Sequence, residues 1–210
     1  MTQATPVPPQ LYLASGSPRR QELLQQAGIG FHQFVLRDEA GAKPDMDESV
    51  LPHEAPEAYV QRVCLLKLQF GWSQLPLRGL PPLPVLAADT TVCLGRHIFG
   101  KPADADDAVR MLRELAGKEH QVLTAVALHT AHGVHSALSR NRVRLAALSE
   151  SEIQAYVDTG EPMGKAGSYG IQGRAACFIT ELHGSYSGVM GLPLYETTQL
   201  LRHIRHGAAQ

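Results

Sequence analysis

The sequence predicts an α/β or α+β protein, a sheet with helices packed on it, and argues against a bundle or a sandwich. Short apolar runs suited to buried strands alternate with segments of helical periodicity, and longer β-pairs occupy the middle of the chain. At 210 residues, with 44% hydrophobic and 19% charged residues, the chain can bury a sizeable core. No internal repeat, heptad or linker divides it. Residues 11–210 are therefore expected to form a single domain behind a disordered lead-in at residues 1–10, where MTQATPVPPQ has neither a basic nor an apolar signal region.

Leu11-Tyr12-Leu13-Ala14 reads as a short buried strand. Ser15-Gly16-Ser17-Pro18 then switches to a helix, with Ser17 at the N-cap, Pro18 at the first position, Leu23, Leu24 and Ala27 on one face, and Gly28 as the stop. A second helix is expected from Glu57 to about Phe70, with Val60, Val63, Cys64 and Lys67 at helical spacing and Gly71 closing it. The proline-rich run from Leu75 to Pro84 reads as a loop into a strand, Val85–Ala88, with Asp89 at its end and a continuation over Thr90–Leu94. After a Gly95–His97 turn and Ile98-Phe99, Asp104–Ala116 is an amphipathic helix with acidic residues in its first turn. Strands are expected over Gln121–His129 and Val134–Ala146, and Ser149–Glu152 is a capping box opening a helix that ends near Gly160. A Gly-rich stretch (Gly164–Gly173), a strand (Ala175–Leu182), a turn at Gly184–Gly188 and a helix entered through Pro193 complete the chain.

Nineteen Lys plus Arg against twenty Asp plus Glu give a net charge of −1, which provides no global field for nucleic acid or an anionic membrane. No apolar run approaches the ~20 residues of a membrane span. Cys64, Cys93 and Cys177 lie far apart in apolar segments and read as small core residues. A reducing, cytoplasmic location is expected.

The segment Ser15–Arg20 carries the strongest chemical signal. A helix N-terminus presents unpaired N–H groups suited to phosphate. Arg19 and Arg20 in that first turn oppose the helix dipole by ~0.3–1 kcal/mol each, a placement that suits a bound anion; solvation or pairing with distant acids is the alternative. Asp89, after a buried strand, stands where α/β sheets put ligand-handling groups and can hold Mg²⁺ or orient a water, or merely cap a turn. Lys101, beside Pro102, is a loop cation. Lys165 and Gln172 are the long polar groups of the Gly-rich stretch, which matches neither the P-loop nor the dinucleotide fingerprint. Its glycines permit close approach to a ligand, and the Gln172 amide can read a base edge. His129, His132 and His135 fall in a turn between strands and read as structural. No nucleophile elbow is present.

Taken in order, LYLASGSPRRQELL, AADTTV, GKP, KAGSYGIQG and SGVMGLPLYET resemble the motifs of the Maf family of nucleotide pyrophosphatases, from Leu11 to about Leu201. The resemblance implies an α/β fold with a mixed twisted sheet, flanking helices and two lobes around a cleft, related to inosine triphosphate pyrophosphatases and commonly a homodimer. It implies hydrolysis of the α–β phosphoanhydride of a nucleoside triphosphate with a divalent metal, Mg²⁺ or Mn²⁺. Asp89 matches the family's proton-accepting aspartate, and Lys101 joins it as a catalytic candidate. Ser17, Arg19, Arg20, Lys67 and Lys165 would hold phosphates, and Asp89 with Glu39 of the Asp38-Glu39 pair would hold the metal. The branch acting on dTTP and UTP has Arg, Thr and Gln where this chain has Arg19, Thr90 and Gln172; the 7-methyl-GTP branch has Tyr, Gln and Glu there. The alternatives are hydrolysis of modified nucleotides such as 7-methyl-GTP, and a non-catalytic nucleotide-binding regulator of cell division.

Overall fold

The computed structural model describes residues 10–36 and 46–207, with side chains through Arg202. Among these residues, seven strands form one mixed sheet: β1 (Leu11–Leu13), β2 (Phe31–Gln33), β3 (Val85–Leu94), β4 (His97–Phe99), β5 (Glu119–Thr130), β6 (Gly133–Leu145) and β7 (Ile179–His183). Their order is β2-β1-β3-β5-β6-β7, with β4 on β3. The β1 pairings with β2 and β3 are parallel, and the remaining pairings are antiparallel.

Among the described residues, six α-helices flank the sheet: α1 (Pro18–Gln26), α2 (Pro56–Leu77), α3 (Ala105–Leu115), α4 (Glu150–Val157), α5 (Tyr186–Met190) and α6 (Leu194–Gly207). One face is covered by α2, whose Val60, Cys64, Leu68 and Leu75 pack on Val85, Ala87, Leu123 and Ala125. Each fully buried aliphatic side chain there contributes roughly 1.5–3 kcal/mol. The opposite face carries two separate apolar clusters, one joining Leu23, Leu24 and Leu200 to Leu86 and Val126. The other joins Leu112, Leu115, Ile153 and Tyr156 to Val92 and Val122. Thr90, Thr124 and Ser139 stand in register between them, one residue each from β3, β5 and β6. This hydroxyl row is the seam between two lobes.

Several element boundaries differ from the sequence reading. Gly71 does not end α2; a Cβ there would lie 3.1 Å from Ala14 Cβ and 3.3 Å from Val85 Cγ1, so glycine lets the helix approach the sheet. The helix runs into the expected loop and includes Pro76, which forfeits a single hydrogen bond in the last turn. It closes in a Schellman motif, with Leu80 N donating to Leu75 O and Gly79 N to Pro76 O. Ala27 is exposed and caps α1, whose core face is Leu23 and Leu24. Ala175–Leu182 is not one strand. The Glu161 carboxylate accepts from Arg174 N and Ala175 N, and Arg174–Phe178 forms a 3₁₀ turn before β7 begins. Cys177 on that turn is exposed, unlike the buried Cys64 and Cys93. The Gly184–Gly188 turn passes into α5, and β2 is an element the sequence reading did not anticipate.

Candidate active site

The site grows out of an interruption in the sheet. On one edge of β3, β1 pairs only with Val85 and Leu86, and β4 only with Val92, Cys93 and Leu94. Among the described residues, the intervening stretch of β3 has no strand on that side, and a cavity of 680 Å³ opens against it, within the size range of ligand sites. Asp89 therefore lies within a continuous strand; what ends beside it is the parallel neighbour β1. Side chains alternate along β3, so Asp89 points to the α2 face and Thr90 to the seam, yet both line the cavity because it spans the open edge.

On the α2 face, Lys67 Nζ donates to Asp89 Oδ1 at 2.7 Å and lies 3.0 Å from Glu48 Oε2. Lys67 is thus paired with two carboxylates. The segment bearing Glu48 is clamped to α2: Arg62 donates to the Glu54 carboxylate and to the carbonyls of Asp47 and Ser49, and Tyr59 Oη donates to Glu48 O. Burial pushes the nearby Cys64 thiol up to about 12, with Asp89 acting in the same direction, so it stays an inert thiol.

At the first helix the chain leaves β1 and turns over Ser15, whose Oγ accepts from Ser17 N at 3.2 Å and from Arg20 Nη1 at 3.0 Å. Ser17 holds the N-cap position, but its hydroxyl makes no capping bond. Arg19 and Ser17 line the cavity. Arg20 also lines it, but its Nε donates to Gly191 O at 2.8 Å, so it ties the turn before α1 to the end of α5. Desolvation lowers the Arg20 pKa from its ordinary value, with Asp89 working in the opposite direction.

The far wall combines the Gly100–Lys101 loop with the Gly-rich stretch, and Gly167 N donates to Gly100 O at 3.1 Å. Gly167 has φ +67°, and a Cβ there would meet Val92 Cγ1 at 2.8 Å; only glycine fits this approach. Lys101, Lys165 and the exposed Gln172 line this wall. Lys165 Nζ donates to the carbonyl of Glu161, and its pKa is lowered by desolvation first and by Arg19 second. Arg19 and Lys165 both line the cavity.

The structure thus brings Ser17, Arg19, Arg20, Lys67, Asp89, Thr90, Lys101, Lys165 and Gln172 to one cavity. Glu39 lies outside the described residues. Glu48, which sequence reasoning passed over, is at the site. Its signal was the second acidic pair, Asp47-Glu48, whose position depends on how the chain returns to α2. Asp89 and Glu48 offer hard carboxylate oxygens already converging on one cation, Lys67, a donor set that suits Mg²⁺ or Mn²⁺. A surface group, Glu119, Glu181 and His183, also has ligand atoms within 4.8 Å of one another. None of the three lines the cavity, and the glutamates pair with Arg142 and Arg144.

Fold and cavity define an α/β protein with a cation-walled cleft of nucleotide size. The chain belongs to the Maf family: residues 10–204 match the family described as Maf-like protein. It is 56% identical over 194 residues to a dTTP/UTP pyrophosphatase of Ralstonia nicotianae, covering 92% of this chain and 93% of that protein. It is 55% identical over 192 residues to a dTTP/UTP pyrophosphatase of Albidiferax ferrireducens, covering 91% and 95%. Among solved structures, the Ham1 protein of Staphylococcus aureus is similar with a TM-score of 0.40 and 12% identity, over 65% of this chain and 71% of that one.

Proposed function

We propose that this chain hydrolyses the α–β phosphoanhydride of dTTP and UTP, releasing the monophosphate and pyrophosphate. The observation that carries the reading is Asp89 on the open edge of β3, fixed by Lys67 and facing walls that bear Arg19, Lys101 and Lys165. The relatives named dTTP/UTP pyrophosphatase support the reaction class and the substrates.

Phosphoryl transfer depends chiefly on positioning and charge neutralisation, and the chain supplies both. Arg19, Lys101 and Lys165, with Ser17 beside the α1 N-terminus, hold the triphosphate. Arg20 secures the turn that carries Ser17. Asp89 orients the attacking water and accepts its proton as oxygen adds to phosphorus; the α–β anhydride bond breaks and pyrophosphate departs. Lys67 keeps the Asp89 carboxylate aimed. Asp89 and Glu48 would hold the divalent cation, which supplies charge neutralisation and lowers the pKa of water. Arg19, Thr90 and Gln172 select the base, with the Gln172 amide donating to O4 of uracil or thymine. The proposal includes a homodimer acting in the cytoplasm; light scattering of the purified protein tests the dimer.

The test is incubation with dTTP, UTP, CTP, GTP and 7-methyl-GTP plus Mg²⁺, with products identified by phosphorus NMR. Monophosphate and pyrophosphate from dTTP and UTP are expected. Inorganic phosphate plus diphosphate would overturn the cleavage site, preferential turnover of 7-methyl-GTP the substrate reading, and binding without turnover the enzyme reading.

A further inference from the structure

The hydroxyl row fixes the direction of a proton. Thr124, fully buried on β5, donates its hydroxyl hydrogen to Gly188 O at 2.8 Å. A threonine hydroxyl has one hydrogen, so in the 3.0 Å contact between the Thr90 and Thr124 hydroxyls Thr90 is the donor. Its hydrogen is thereby consumed inside the protein, and Thr90 offers the cavity lone pairs alone. The arrangement is held rigidly. Gly188 packs so closely that a Cβ would lie 2.8 Å from Ser139 Oγ and 2.9 Å from Asn141 Nδ2. Asn141 in turn donates to Val122 O and accepts from Ser185 N at the start of α5.

We infer that Thr124 is a positioning residue for base selection: it makes Thr90 an obligate hydrogen-bond acceptor toward the nucleotide. This rests on the proposed function, in which Thr90 faces the base. Uracil and thymine carry a donor, N3–H, where cytosine carries an acceptor. Gln172 cannot enforce that distinction alone, because turning its amide over exchanges donor and acceptor and lets it pair with either ring. A fixed acceptor favours uracil and thymine, and leaves an unpaired lone-pair contact against cytosine.

The experiment measures pyrophosphate release from UTP and CTP by the wild-type chain and by Thr124→Val, Thr124→Ser and Thr90→Val, each checked by circular dichroism and thermal melting. Thr124→Val and Thr90→Val are expected to lower the UTP:CTP ratio of kcat/KM by about fivefold or more, the worth of one hydrogen bond, while Thr124→Ser keeps it within about twofold. An unchanged ratio in Thr124→Val beside a lowered one in Thr90→Val overturns the relay alone. An unchanged ratio in Thr90→Val overturns it whether or not Thr124→Val folds. A wild-type chain that releases no pyrophosphate from either nucleotide overturns the underlying function instead.

Discussion

Asp89 and His120 show how differently two enclosed polar residues behave. Asp89 faces the cavity and is fixed by Lys67. Asp89→Asn keeps the size but removes the proton acceptor, so kcat for dTTP is expected to fall by about 10²-fold or more while the fold persists; steady-state kinetics with a melting curve checks this, and near wild-type turnover with unchanged metal dependence would refute the assignment. His120 lies outside the cavity lining. It is buried against Tyr169, 2.7 Å from its hydroxyl, and burial depresses its pKa from 6.5 to about 4. Above pH 6.5 both folded and unfolded chains hold it neutral. Below that the unfolded chain binds the extra proton, so stability falls as pH drops toward 4, by about 2 kcal/mol at pH 5. Urea unfolding at pH 7 and pH 5 should show that loss, and His120→Gln should remove its share of it. The Asp89 motif was legible in the sequence; the His120–Tyr169 contact was not, because the residues lie 49 positions apart and meet only where the Gly-rich stretch packs on β5.

At the scale of elements, local chemistry set what local chemistry can reach. The Ser149–Glu152 capping box forms with both of its bonds, and Asp104 caps α3 by accepting from Asp107 N. Where the sequence reading placed boundaries wrongly, a contact between distant residues had overridden local preference: Gly71 against Ala14 and Val85, and Glu161 against the backbone of Arg174 and Ala175. The segment carrying Glu48 belongs to the same category, since Arg62 on α2 holds it by side-chain bonds to Glu54 and to two carbonyls. Arg62→Met is expected to release this segment. Hydrogen exchange at Ser49 and Leu51, whose amides donate to Asp47 and Glu54, should accelerate by about tenfold, matching the loss of roughly 1.4 kcal/mol of local stability, while exchange in β5 stays unchanged.

For the whole molecule, the cavity draws its walls from both lobes, with α1 and α5 on one side of the seam and the Gly100–Lys101 and Gly-rich loops on the other. A non-hydrolysable dTTP analogue at about 100 times its Kd should therefore stabilise the native state by about 2.7 kcal/mol and raise Tm by about 5–10 °C. Differential scanning fluorimetry reads the shift, and a Tm that does not move would show that the cleft does not take the nucleotide. The sequence by itself determined the class of fold, because hydrophobic periodicity is local. It also determined the motifs that line the cleft, because each is a short run with its own turn and capping chemistry. Only the tertiary structure decided that β3 passes Asp89 without ending, that Glu48 reaches Lys67, that Arg20 ties the turn before α1 to Gly191, and that the Thr124 hydroxyl accepts the hydrogen bond of Thr90. Each of these depends on which strands end beside one another and in what register, and that is settled when apolar faces far apart in the chain bury each other.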